Sequence, residues 1–156
     1  MSAWGEFCWW ALFLPAALWV QSLVPGLDVL IVGVIILMQE RRWKALGWLL
    51  LFCVLVQEGT GTLSFGASVL WYTATLLLFV LGRSWFEGRN FPFVLLLSLM
   101  LCPVGMGIMS MLTSLQHMRM DPHILLGHGI VQTLFLPVAW LLAMWTRRWG
   151  RAHVPA

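Results

Sequence analysis

The stretch that decides the fold is residues 25–62, which reads PGLDVLIVGVIILMQERRWKALGWLLLFCVLVQEGTGT. Two apolar runs, 27–38 and 45–56, flank the polar turn QERRWK at 39–44. Each run gives a helix of only about 18 Å, against a hydrocarbon core of about 30 Å. A hairpin buried in the bilayer would place three basic residues in lipid, at a cost of roughly 8–10 kcal/mol. The turn must therefore reach water.

Extending the two runs outward resolves their shortness. Pro25 suits the first turn of a helix, so the second segment extends over 25–43 and the third over 44–62, and both then cross the bilayer with polar ends. Four further runs have about 18 residues or more, long enough to span; they lie at about 7–24, 65–82, 91–116 and 124–146. We expect an all-α, polytopic integral membrane protein with six transmembrane helices in a single domain over residues 1–156.

The composition supports a chain that lies in lipid. Apolar residues make up 61% of it and charged residues 10%, whereas a soluble domain has about 45–50% and about 25%. The mean hydropathy is +0.89. A soluble fold of this size could not hide so many apolar side chains in its core. Many of the 11 Trp residues lie near the ends of the apolar runs, as is typical of interfacial anchors.

The charged residues predict the orientation. With six spans, the N-terminus, the loops at 39–44 and 83–90 and the C-terminal tail share one side, and the opposite side has only Arg119. The positive-inside rule then places both termini in the cytoplasm. The net charge of +3 reflects this topology and does not indicate a nucleic-acid partner. The basic residues of the cytoplasmic side are Arg41, Arg42, Lys44, Arg83, Arg89, Arg147, Arg148 and Arg151.

Two polar breaks near the outer face are candidate partner-contact or cavity sites. Asp28 follows Pro25-Gly26, where its carboxylate either caps the second helix or contacts a partner or ligand. The second break is a glycine-rich polar segment, which near membrane depth indicates packing in protein or a cavity lining, although an ordinary outer loop explains it equally well. Its candidate residues are Gln57, Glu58, Gly59, Thr60 and Gly61.

The fifth run contains a third group of candidates, Pro103, Gly105 and Gly107. A proline inside a helix removes a hydrogen bond and kinks the helix, and glycines allow a neighbouring helix to approach closely. Two positions apart, the two glycines point in different directions. We expect kinked fifth and sixth spans, the sixth through Pro137.

The sequence does not indicate a metal site, a cofactor or an enzyme. Cys8, Cys53 and Cys102 lie inside apolar runs without ligand spacing and are interpreted as apolar fillers. The histidines near the outer face fit a hydrated loop better than a metal or haem site, because Pro122 interrupts a continuous helix there. No phosphate loop, catalytic triad or HExxH motif is found. The histidines and their acidic neighbour are His117, Asp121, His123 and His128.

Residues 25–90 resemble the bacterial rod-shape-determining MreD family. The resemblance rests on PGLDVL at 25–30, ERRWKALG at 40–47, QEGTGTLSFGASVL at 57–70 and LGR at 81–83. It implies a six-span, non-catalytic inner-membrane scaffold of the cell-elongation machinery. The implied partner is an MreC-like single-span periplasmic protein and, through it, the actin-like filament and the peptidoglycan synthases.

Two other functions stay open at this point. A substrate-binding subunit of an energy-coupling-factor-type vitamin transporter has a similar six-span architecture, but it needs several convergent polar groups in a pocket. A haem- or quinone-binding anchor of a respiratory complex is the third possibility. We expect the scaffold, because no catalytic motif is found and the small and kink-forming residues suit helix packing.

Overall fold

A computed structural model describes residues 3–24, 26–59, 66–85, 90–115 and 122–152. All regular structure in these ranges is α-helical, which confirms the all-α class. Thr60, Gly61 and Arg89 lie outside the described residues. The helices are α1 (Ala3–Leu23), α2 (Leu30–Gln39), α3 (Trp43–Gly59), α4 (Ala67–Arg83), α5 (Phe91–Leu115) and α6 (Pro122–Ala152).

Helix α2 forms the centre of the bundle. Its sequence LIVGVIILMQ is apolar on every side, and all residues from Leu30 to Met38 are buried. A helix that is apolar all round belongs in a core or in a membrane. Helices α1, α3 and α6 pack against α2, while α4 packs on α5 and α5 packs along α6. The central helix is therefore surrounded by protein.

Helix α2 is shorter than the span 25–43 that the sequence predicts. At its start Gly26 adopts a φ of 83°, and the Leu27 N–H bonds the Val24 carbonyl in a turn. At its end Arg41 adopts a φ of 57°, a left-handed conformation that is unusual for a residue other than glycine. The N–H groups of Arg41 and Arg42 bond the carbonyls of Met38 and Leu37, which completes a Schellman motif. Turns at both ends thus hold the helix to Leu30–Gln39.

Within the described ranges, two helices are long and apolar enough to cross a membrane, over Phe91–Ser114 in α5 and Leu126–Arg148 in α6. Only 33% and 28% of their most apolar windows are buried, whereas the core helix of a soluble protein is mostly buried. Helices α2 and α4 are apolar but shorter. Six membrane crossings therefore stay a prediction. Both α5 and α6 continue past Pro103 and Pro137, and the expected kinks also stay predictions.

At three helical glycines of the described residues, an added Cβ would come within 3.0 Å of a side chain on a neighbouring helix. A Cβ at Gly129 of α6 would lie 2.8 Å from Cys102 Sγ of α5, and one at Gly82 of α4 would lie 2.8 Å from the Phe93 ring of α5. A Cβ at Gly105 of α5 would lie 2.9 Å from the Trp71 ring of α4. A side chain at any of these positions would make the neighbouring side chain shift. The packing of α4, α5 and α6 thus depends on the absence of a side chain at each.

Candidate functional site

Asp28 lies in the turn before α2 and joins three parts of the bundle. Its Oδ2 accepts a hydrogen bond from Trp71 Nε1 of α4 at 3.0 Å. Its backbone N–H donates to Gln132 Oε1 of α6 at 2.7 Å, and its carbonyl accepts from Gln132 Nε2 at 3.0 Å. The Gln132 amide therefore binds both polar groups of one peptide residue across the bundle. Val29, not Asp28, occupies the N-cap position of α2, and it makes no side-chain capping bond.

The end of α3 contributes the second part of this site. Gln57 Nε2 donates to Tyr72 Oη of α4 at 2.8 Å, and both residues are buried. Both side chains also interact electrostatically with the Asp28 carboxylate. We name the group Asp28, Gln57, Trp71, Tyr72 and Gln132 the Asp28 cluster. Two sequence-predicted candidates, Asp28 and Gln57, thus meet in one polar cluster.

Helix α5 supports the cluster through Gly105. Because Gly105 has no side chain, the Trp71 ring reaches the surface of α5 and presents its Nε1 to Asp28. Gly107 lies two residues from Gly105 and points in a different direction. A Cβ at Gly107 would meet nothing within 4 Å. Pro103 is exposed. Of the three candidates on α5, the structure therefore connects Gly105 alone with the cluster.

Glu58 and Gly59 lie where α3 ends. Glu58 Oε1 accepts a hydrogen bond from the Gly66 N–H at 2.9 Å, so it joins the end of α3 to the start of α4. Gly66, with a φ of 87°, is the residue that precedes α4. Gly59 is the exposed last residue of α3. The Glu58 side chain thus connects the last turn of α3 with the residue that precedes α4.

A second polar cluster lies at the opposite end of α2. Arg147 of α6 is only 3% exposed, and its Nη2 donates to Glu6 Oε1 at 2.9 Å and to Glu40 Oε2 at 2.8 Å. Arg42 forms a further ion pair with Glu6. The Arg147 guanidinium also lies over the Trp9 ring, 5.1 Å from its centroid, in a cation–π contact. We name Glu6, Glu40, Arg42 and Arg147 the Glu6 cluster.

The sequence assigned Arg42 and Arg147 to topology alone and missed the Glu6 cluster. The sequence contained a signal for this cluster, because Glu6 and Glu40 lie in segments predicted to be on the same side of the membrane as the basic residues. Arg41, Lys44 and Arg148 are exposed, and Arg83 is half-buried. The backbone places Arg151 in the last turn of α6. The structure thus gives two of the basic residues a structural role beyond topology.

The described residues contain no group of three His, Cys, Asp or Glu side chains arranged to hold a metal ion. His123 and His128 are exposed near the start of α6, and the His128 ring packs against the backbone of Gly26. His117 and Asp121 lie outside the described ranges. The three cysteines are free, and Cys53 among them is buried. No protein-family model, curated protein or solved structure matches this chain.

Proposed function

We propose that this chain is a six-span, non-catalytic scaffold of the bacterial inner membrane that binds the transmembrane helix of a single-span partner. The resemblance over residues 25–90 suggests that this partner is an MreC-like protein of the cell-elongation machinery, connected through it to peptidoglycan synthases. Both termini lie in the cytoplasm. In this proposal the protein binds other membrane proteins and catalyses no reaction.

The packing of α2 supports six spans although this helix is short. Ten residues give about 15 Å of helix, half of a hydrocarbon core of about 30 Å. Because protein surrounds α2, its length need not match the bilayer, and the polar groups at its ends bond other helices. A short helix of this kind is compatible with membrane depth, where a lipid-exposed one would not be.

The positions of the charges support cytoplasmic termini. The Glu6 cluster joins the start of α1, the end of α2 and the last third of α6, so these segments lie at one end of the bundle. The exposed basic residues Arg41, Lys44 and Arg148 belong to the same end. A basic end of this kind faces the cytoplasm under the positive-inside rule.

The observation that carries the scaffold proposal is an apolar groove between α4 and α5. Its volume is about 390 Å³, and it is open at the surface of the bundle, where Leu81 and Trp85 are 64% and 84% exposed. A groove of this type accepts the apolar side chains of one further helix. The lining residues are Leu78, Leu81, Gly82, Trp85, Phe93, Leu96, Leu97 and Met100.

A pair of variants on α5 tests the groove. Leu96 lines it, whereas Leu99 is an exposed leucine on the same helix outside the lining. Leu96→Trp should fill the groove and lower the recovery of the MreC-like protein with the affinity-tagged chain from native membranes by about tenfold. Leu99→Trp adds the same bulk elsewhere and should leave recovery unchanged. Equal recovery with both variants, or a wild-type chain that purifies without any elongation subunit, would overturn the proposal.

The Asp28 cluster favours a second candidate, the substrate-binding subunit of an energy-coupling-factor-type vitamin transporter. It brings together a carboxylate, an indole, a phenol and two amides from four parts of the chain, the convergent polar groups that such a site needs. Native mass spectrometry of the protein released from detergent separates the two functions. A retained vitamin would support the transporter, and an empty protein would leave the scaffold.

A further inference from the structure

Three basic side chains beside the Glu6 cluster have no acidic partner among the described residues. Within the cluster itself, two carboxylates already pair with two guanidinium groups. Arg41, Lys44 and Arg148 are exposed and form no ion pair with a described side chain. Among the described residues, this end of the bundle therefore has three positive charges that the fold does not neutralise.

The contacts of the Glu6 cluster hold these cations at one end of the bundle. One oxygen of Glu6 accepts from both Arg42 and Arg147, so the turn after α2 lies close to the last third of α6. Arg41 directly precedes Arg42, and Arg148 directly follows Arg147. The third cation is two residues beyond Arg42, in the first turn of α3. We name the exposed cations Arg41, Lys44 and Arg148 the basic face.

Two residues of the basic face occupy positions where a basic residue does not stabilise the fold. Arg41 has a φ of 57°, a conformation that glycine adopts more easily. Lys44 lies in the first turn of α3, where its charge opposes the helix dipole and no acidic residue offsets it. The positive-inside rule explains basic residues on this side of the membrane but not at these two positions. An external anion would explain both.

Exposed tryptophans indicate which anion is nearest. Trp43 directly precedes Lys44, Trp145 lies one helical turn before Arg148, and Trp4 lies in the first turn of α1. Tryptophan is enriched at membrane–water interfaces, where its ring lies at the level of the lipid headgroups. In the membrane orientation proposed above, phospholipid phosphates lie at the same depth as the basic face. A headgroup is therefore a closer partner than a soluble anion.

We propose that the basic face binds anionic phospholipid of the cytoplasmic leaflet. Arg41 and Arg148 each offer a planar set of N–H donors that matches phosphate oxygens, and Lys44 adds a point charge. A phosphatidylglycerol headgroup has a net negative charge, whereas phosphatidylcholine carries its own cation. The inference rests on the membrane insertion and orientation proposed above, but not on the partner protein or on the α4–α5 groove.

The test compares two lipids on the full chain in a non-ionic detergent. Phosphatidylglycerol and phosphatidylcholine with the same acyl chains differ in net charge, and native mass spectrometry measures how much of each stays bound. At equal mole fractions, phosphatidylglycerol should be retained at least about tenfold better, and this preference should fall as the ionic strength rises. Equal retention of the two lipids, or a preference that does not depend on salt, would overturn the proposal.

Arg41→Gly separates lipid binding from a structural role. The variant removes one charge and introduces a residue that suits a φ of 57°, so the melting temperature without lipid should not fall. The preference for phosphatidylglycerol should fall about fivefold. A changed melting temperature with an unchanged lipid preference would mean that Arg41 acts only in the turn, and would contradict its place in the basic face.

Two further variants show whether position or net charge matters. Arg148→Gln, at an exposed position of α6, should also lower the preference about fivefold. Arg83→Gln removes a half-buried basic residue of the same predicted side that lies outside the basic face, and it should bind as the wild type does. Equal losses in the two variants would show that net charge alone acts. No loss in either Arg41→Gly or Arg148→Gln would also contradict the assignment.

A soluble phosphate is the competing occupant of the basic face. Glycerol phosphate has the headgroup chemistry of phosphatidylglycerol without acyl chains, and at millimolar concentration it should not displace the bound lipid. If it does displace the lipid, the face binds a soluble anion and the lipid assignment is wrong. None of these measurements involves the MreC-like protein, so a failure of this inference and a failure of the groove proposal are distinguishable.

Discussion

The two ends of α2 satisfy their polar groups in opposite ways. At the Gln39 end two carboxylates meet two guanidinium groups, and the charges of Glu6, Glu40, Arg42 and Arg147 balance. At the Leu30 end one carboxylate, Asp28, meets neutral donors, the Trp71 indole and the side chains of Tyr72 and Gln57. The balanced end is built for stability, since every charge of the Glu6 cluster already has its counterpart. The unbalanced end holds a carboxylate that has no opposite charge among the described side chains.

The largest expected effect comes from removing Arg147, the buried cation of the balanced end. Arg147→Ala leaves Glu6 and Glu40 close together without their shared partner and removes the contact with Trp9. We expect the free energy of unfolding in detergent to fall by about 3–5 kcal/mol. Arg148→Ala, at an exposed neighbouring position, should change it by less than about 0.5 kcal/mol. Similar losses in the two variants would mean that Arg147 acts only through topology.

A smaller effect is expected from the helix that supports the Asp28 end. Gly105→Ala places a methyl group 2.9 Å from the Trp71 ring, so the ring that bonds Asp28 must shift. Overpacking of this kind costs about 1–3 kcal/mol. Gly107→Ala meets no neighbour and should stabilise α5 by about 0.5–1 kcal/mol through helix propensity. Unfolding titrations of both variants check the sign, and a stabilising Gly105→Ala would show that Trp71 is not held by α5.

The most direct comparison replaces one carboxylate at each end by its amide. Glu6→Gln weakens charged hydrogen bonds to Arg42 and Arg147 and should cost about 1–3 kcal/mol of unfolding free energy. Asp28→Asn keeps an acceptor for Trp71 and removes a charge without an ion-pair partner among the described side chains, so its cost should be below about 1 kcal/mol. Chemical unfolding of both variants at one pH gives the difference. A larger loss for Asp28→Asn would reverse the interpretation of the two ends.

The sequence was sufficient to locate the helices and the polar breaks. Apolar runs and polar turns predicted six helical segments near their observed positions. Asp28 and Gln57 were selected because polar side chains between apolar membrane segments cost free energy. The bounds of α2 were harder to predict. An arginine in the left-handed conformation at 41 is rare, so no local pattern indicates that the helix ends at Gln39.

The partners of the polar groups could not be predicted, for a different physical reason. Glu6 and Arg147 are 141 residues apart, and Asp28 and Gln132 are 104 residues apart. Their contacts depend on how α1, α2 and α6 pack, and α2 is apolar on all sides, so it shows no preferred face. Trp71 was one of many tryptophans, and only the approach of α4 to Asp28 gives it a donor role.

The position of α6 in the chain has a consequence for biosynthesis. This helix supplies Gln132 to the backbone of Asp28, Trp140 to the side chain of Gln39 and Arg147 to Glu40, so it contacts polar groups along the whole length of α2. The ribosome makes α6 more than 80 residues after α2. Until then, these polar groups of the central helix lack their final partners. A newly made chain therefore completes its core last, and synthesis that stops before Gln132 leaves Asp28, Gln39 and Glu40 without these α6 partners.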